Sequence, residues 1–216
     1  MARSTFKSEK LTTPVFRISY PHLFEAQKIA DDPNSKPKFS CQAIFDPKKF
    51  SDSDKVAWKK MLNELNRASS HEFSKKFFVV ENGKIAIKAP ANVKTGLRDG
   101  EEREGTEGYG AGVFFASLSS KMRPGVVDKS KSTISEAEGN ADEIYPGCYC
   151  RATVLIYPFK NKGKGVAFLL ANVQKIKDGP RLDNRTNAED DFDEEVDAAW
   201  MDEESGDADN AGDDFD

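Results

Sequence analysis

Apolar and polar positions alternate most clearly in "EIYPGCYCRATVLIYPF". On an extended chain, Cys148, Cys150, Ala152, Val154 and Ile156 fall on one side, and Tyr149, Arg151, Thr153, Leu155, Tyr157 and Phe159 on the other. The first side is small and apolar, as a barrel interior is. The second sets an arginine among aromatic rings, a face that calls for a partner. The same period of two runs through "KFSCQAIFD", with Phe39, Cys41, Ala43 and Phe45 inward and Lys38, Ser40 and Gln42 outward. "TPVFRISYPHLF" reads as an earlier strand with Phe16, Ile18 and Tyr20 on one face, closed by Pro21.

The period lengthens after Ser51. Ala57, Trp58, Met61, Leu62, Leu65 and Ala68 recur at helical spacing, which predicts one helix capped by Ser51 or Ser53 and running to about Ser70. Asn82-Gly83 between two apolar runs predicts a tight hairpin. "KTGLRDGEEREGTEGYGAG" reads as a loop or flap, "VFFASLSSK" as a strand, and "MRPGVVDKSKSTISEAEGNADE" as irregular chain. "NKGKG" then turns the Tyr149 strand back into "VAFLLANVQKIKD", a long hairpin. Six or seven strands, one helix and Gly and Pro punctuation predict a mainly β chain, a small barrel with hairpin and loop insertions.

Charge changes this picture once it is counted by segment. Residues 186–216 hold 15 Asp and Glu and no Lys or Arg, so residues 1–185 carry 32 basic against 22 acidic side chains, a net of +10. The chain thus divides into a polar, mobile start (1–10), one basic domain (11–185) and an acidic tail (186–216) too poor in apolar residues to fold. A basic body beside an acidic tail points to nucleic acid as the partner. Three cysteines and no apolar leader fit a reducing cytoplasm, and no apolar run is long enough to span a membrane.

Catalytic chemistry finds little support. His22 and His71 lack ligand spacing, Cys148 and Cys150 form one pair without a second, and the phosphate-cradling G-x-x-x-x-G-K-[ST] pattern is missing. No metal or cofactor is expected, although Asp99, Glu101, Glu102 and Asp128 keep a metal-dependent nuclease as a rival. Single-strand binding needs flat rings for bases and cations for phosphates. Tyr149, Arg151 and Tyr157 supply both types, with Lys160, Lys162 and Lys164 in the adjoining turn. Arg17 with Tyr20, Lys36 with Lys38, and Tyr109 with Arg123 extend the set. In the tail, Trp200, Asp213, Asp214, Phe215 and Asp216 are the candidates for holding a protein partner, while the tail as a whole competes with DNA for the basic face.

"RISYPHLFEA", "KFSCQAIFDPK", "GLRDGEE", "SKMRPGVVD", "EIYPGCYCRATVLIYPF", "NKGKGVAFLLANVQKIKDG" and the acidic end, in this order, resemble the phage single-stranded-DNA-binding proteins. The resemblance implies an oligonucleotide-binding fold, a five-stranded Greek-key barrel, serving phage DNA replication or recombination in the bacterial cytoplasm. It also implies a tail that docks on replication proteins such as a polymerase, helicase, primase or nuclease. Phe215 is followed by Asp216, whereas the docking aromatic of such tails is itself the last residue. Three rivals remain: an RNA-binding or strand-annealing protein of the same fold, the nuclease, and an acidic DNA mimic. Homo-oligomerisation is left open.

Overall fold

A computed structural model describes residues 5–28, 35–81, 83–160 and 163–183. In chain order these form β1 (Leu11–Thr12), β2 (Phe16–Gln27), β3 (Lys38–Phe45), α1 (Asp52–Phe73), β4 (Phe78–Glu81), β5 (Lys84–Ile87), β6 (Val93–Lys94), β7 (Leu97–Asp99), β8 (Phe114–Ser120), β9 (Gly125–Val127), β10 (Tyr149–Phe159) and β11 (Lys164–Lys177). Strand β10 bonds to β2, β2 to β3, β3 to β8, β8 to β11, and β11 back to β10, so five strands close into a ring. Every pair is antiparallel except β8 with β11. This is a Greek-key barrel of the oligonucleotide-binding kind, as the resemblance implied.

Alternation fills the barrel. Cys150, Ala152, Val154 and Ile156 of β10 meet Cys41, Ala43 and Phe45 of β3 and Val166, Phe168 and Leu170 of β11 in one buried core. Helix α1 lies between β3 and β8 in the chain. It starts where predicted: the Ser51 Oγ accepts from the Asp54 N–H, and the Asp54 carboxylate accepts from the Ser51 N–H. It runs one turn past Ser70, because Phe73 stacks on Phe77 at 5.3 Å between ring centroids. Its Trp58 plugs the core among Phe45, Phe50 and Phe114, at 5.3, 5.4 and 5.7 Å. All three cysteines are buried free thiols, the small core residues their spacing predicted.

Several elements depart from the expectations above. Strand β2 does not end at Pro21 but continues to Gln27 through a register shift between Ser19 and His22. There Tyr20 takes a left-handed backbone, φ 46°, so it points to solvent while Phe16 and Ile18 stay buried. The loop expected over 94–112 contains β7, which pairs with β8, and the irregular stretch contains β9, which pairs in parallel with β11. Strands of two or three residues are too short to show a period. The hairpin at Gly83 forms, Glu81 facing Lys84, while Asn82 lies outside the described residues. The start of the chain, read as mobile, is held from Phe6 onward. The Ile156 N–H donates to the Ser8 hydroxyl at 2.8 Å, the Glu9 N–H to the Glu64 carboxylate at 3.3 Å, and the Arg67 guanidinium lies 4.3 Å over the Phe6 ring.

Candidate nucleic-acid interface

With the interior full, recognition falls to the outside of the ring. On the β10–β11 hairpin the outer side chains pair across the ladder, Arg151 with Gln174, Thr153 with Asn172, Leu155 with Leu169 and Tyr157 with Ala167. Tyr157 and Leu169 are each 39% exposed. They line an open groove of about 650 Å³ that also takes in Ser119 of β8 and Met122 just beyond it. Its charged lining is Lys10, Lys38, Lys121 and Arg123, with no carboxylate. Cations above an apolar floor suit a ligand with negative charges along one edge and flat apolar groups along the other.

Farther along the same face, Gln42 sits opposite Ser117 and Ile44 opposite Phe115. Phe115 points away from the barrel core, yet it is only 1% exposed, because the 100–113 segment lies over it. Tyr109 meets it edge-on at 5.3 Å and donates its hydroxyl to the Gln42 side chain at 2.8 Å. Burial pushes the Tyr109 phenol above its ordinary pKa, against the opposing pull of Ser19 and Arg103. Arg103 lies 5.1 Å from the Phe115 ring centre, 5.4 Å from Tyr109 and 6.0 Å from Tyr20. Tyr20 is 51% exposed on its left-handed bend. Bulges of this sort re-aim a side chain, and strained backbone gathers at functional sites.

The predicted residues therefore separate into groups. Lys38, Arg123 and Tyr157 share the groove, where Arg123 also pairs with Glu136 at 3.0 Å. Tyr20 and Tyr109 gather round Arg103. Arg151 is exposed at the far end of the hairpin face, its Nε donating to Gln174 at 2.8 Å. Arg17 donates to the carbonyls of Gly147 and Pro180 and lies 5.9 Å from Tyr149, whose half-buried ring has the Lys177 ammonium 4.7 Å away on β11. Gly179 packs directly on that ring. Arg17 and Tyr149 thus fasten residues 178–182 to the barrel. Lys160 pairs with Glu72 of α1, while Lys36 and Lys164 are exposed outside the groove. Lys162, Trp200, Asp213, Asp214, Phe215 and Asp216 lie outside the described residues.

Sequence reasoning missed Lys10, Lys121, Met122 and Leu169 in the groove and Arg103 among the Tyr20, Tyr109 and Phe115 rings. "KMR" directly after a strand was a usable signal for Lys121. Arg103 gave none, since Glu101, Glu102, Glu104 and Glu107 surround it in the chain. Among the described residues no cluster of His, Cys, Asp or Glu is arranged to hold a metal ion, and no helix is long and apolar enough to cross a membrane.

The model of the family described as the Enterobacter phage Enc34 ssDNA-binding protein matches residues 9–204. Protein p50 of Acyrthosiphon pisum secondary endosymbiont phage 1 is 32% identical over 165 residues, 76% of this chain and 80% of that protein. The fold is shared with the single-stranded DNA-binding protein from bacteriophage Enc34 solved in complex with ssDNA. That comparison gives a TM-score of 0.59 at 22% identity and covers 79% of this chain and 87% of the other. A second structure of that phage protein gives 0.56 at 23% identity over 84% and 89%. With a family match that runs through the barrel and into the acidic segment, this chain belongs to the Enc34 phage single-stranded-DNA-binding protein family.

Proposed function

We propose that this protein coats single-stranded DNA with little sequence preference, without a catalytic step, during phage DNA replication or recombination in the bacterial cytoplasm. The groove carries the reading: four cations and no carboxylate surround Tyr157, Leu155, Leu169 and Met122. Phosphates run along Lys10, Lys38, Lys121 and Arg123, and an unpaired base stacks on Tyr157. Every base has a flat face, so stacking accepts any sequence, at about 1–3 kcal/mol per base. Family membership supports the ligand class, as does the ssDNA held by the phage Enc34 protein of the same fold.

The tail adds control. Its 15 carboxylates against a +10 body make a tethered competitor whose effective concentration reaches about the millimolar range. DNA displaces it, and the freed tail, with Trp200 and Phe215 among its acids, recruits a replication or recombination protein. Fluorescence anisotropy on labelled oligo-dT across a salt series tests both parts, with the full chain beside a version ending at Arg185. Tighter binding by the shorter chain, with log affinity falling linearly against log salt, is expected. A full chain that ignores oligo-dT at low salt, or prefers the matched RNA strand, overturns the reading.

A further inference from the structure

Resting on the single-strand-binding reading, we infer that the DNA path does not end at the groove but continues along the outer face of β10 and β11 to a second phosphate station. The station is built from Arg151 with Lys129 and Lys131, and Gln174 positions it.

The described arginines show why Arg151 is different. Arg67, Arg98, Arg123 and Arg181 each pair with a carboxylate. Arg17 holds two backbone carbonyls, and Arg103 lies among three rings. Arg151 alone among them is exposed with only its Nε engaged, by an uncharged amide, so its terminal nitrogens are left for a phosphate. None of the ion pairs among the described residues involves Lys129 or Lys131, and both are exposed.

These three cations belong to one built structure. The Gln174 carbonyl accepts from Arg151 Nε, and its amide nitrogen donates to the Asp128 carbonyl at 2.9 Å. Asp128 opens the tight turn that carries both lysines. Its Oδ1 accepts from the N–H groups of Ser130 and Ser132 at 2.7 and 2.8 Å, and its carbonyl also accepts from the Lys131 N–H at 3.1 Å. The one carboxylate in this turn thus bonds to backbone donors, and among the described residues it makes no ion pair with either lysine. Gln174 links the arginine of one strand to the backbone of the lysine-bearing turn, so the turn and the arginine are tied together before a ligand arrives.

The station is also continuous with the groove. Beside Arg151 lies a smaller depression of about 280 Å³ whose lining includes Arg151, Thr153, Asn172 and Gln174, and Asn172 lines the groove as well. Asn172 is fixed there by donating to the Thr153 hydroxyl at 3.2 Å. Gly125 of β9 comes so close to Asn172 that an added Cβ would lie 2.8 Å from its side-chain oxygen. Six residues of strand separate Tyr157 from Arg151, roughly 20 Å at about 3.3 Å per residue. A strand too short to cover that distance fills the groove alone.

Length therefore tests the station. Full-length chains carrying Arg151→Ala, Lys129→Ala with Lys131→Ala, or Gln174→Met are titrated with oligo-dT of about 4 and about 16 nucleotides, the ends of the range for one barrel. On the long strand the slope of log affinity against log salt falls by about 0.7 for Arg151→Ala and about 1.4 for the double lysine variant, one phosphate contact per cation. Gln174→Met weakens the long strand only. Arg151→Lys restores the slope without the full affinity, since its charge remains but its fork does not. Short-strand binding stays at the parental value throughout. Parental slopes and affinities on the long strand in the surface lysine variant, which leaves the fold alone, overturn the station. If Tyr157→Ala still weakens both strands in that case, the groove reading stands without it. An unaltered chain that binds neither strand overturns both.

Discussion

Tyr157 and Tyr149 sit eight residues apart on the outer side of one strand, in different surroundings. Tyr157 is 39% exposed, faces Ala167 across the ladder and lines the groove. Tyr149 is half-buried, with Gly179 against its ring and the Arg17 and Lys177 cations beside it. Tyr157→Ala should leave stability within about 0.5 kcal/mol, as surface truncations do. It should cost one stacked base, about 1–3 kcal/mol of binding, or roughly 5- to 150-fold in affinity for oligo-dT at fixed salt. The salt slope should not move, because a neutral ring releases no counterions, whereas Lys121→Ala should lower it by about 0.7. Tyr157→Phe keeps the ring and should bind like the parent. Tyr149→Ala should instead lower the urea midpoint and loosen residues 178–182. Anisotropy at several salt concentrations beside urea melts separates these cases. Parental affinity in Tyr157→Ala would refute the stacking assignment, and a reduced slope in that variant would show that the ring shapes the groove and does not carry a base.

Other outcomes follow from the core and the clamp. Trp58→Ala leaves a hole among Phe45, Phe50 and Phe114 and should cost about 3–5 kcal/mol in a chemical melt. Burial and the neighbouring Cys148 push the Cys41 thiol up to about 12, and Cys150 is likewise held well above the ordinary thiol value by its contact with Cys148 and by burial. Cys41 and Cys150 should therefore resist a thiol reagent at pH 8 in the native state and react on unfolding. The Lys175 ammonium, 2.8 Å away, holds the Asp178 carboxyl below its usual pKa. A depressed carboxyl stabilises the fold above its unfolded value near about 4, and the contribution is lost as pH falls through the folded value. The gap in urea midpoint between the parent and Asp178→Asn should thus be constant at neutral pH and close only below about pH 4.

The barrel was legible where a strand held its period for seven residues or more. Phe39 to Phe45 and Cys148 to Ile156 each show one parity, which the core keeps from Cys41 and from Cys148 onward, whereas Phe39, expected inward, is only half-buried and outside it; Asn82-Gly83 marked its hairpin. Parity failed at bulges, because an extra residue moves the inward set from even to odd positions without changing the composition. In β11, Val166, Phe168 and Leu170 are buried, but beyond Ala171 the buried residue is Val173. In β2 the shift at Tyr20 undid the expected face. The candidate binding surface was legible in residue type more than in position. Arg17 and Tyr157 look alike on a strand pattern, and only packing reveals that one holds carbonyls while the other meets solvent.

Those two bulges also account for where the candidate site lies. At β2 the shift turns Tyr20 outward toward Arg103. At β11 it lets Leu169 and Asn172 both face out while Leu170 and Val173 face in. A regular strand would have put every odd residue of β11 on one side, leaving either Asn172 or Leu169 in the core. The ring thus presents apolar and hydrogen-bonding side chains side by side on its outer surface while the interior stays apolar. A surface set by strand pairing exists before any ligand binds, so affinity is not spent on ordering it. A flexible polymer such as single-stranded DNA brings the disorder to the encounter, and the barrel supplies the fixed half.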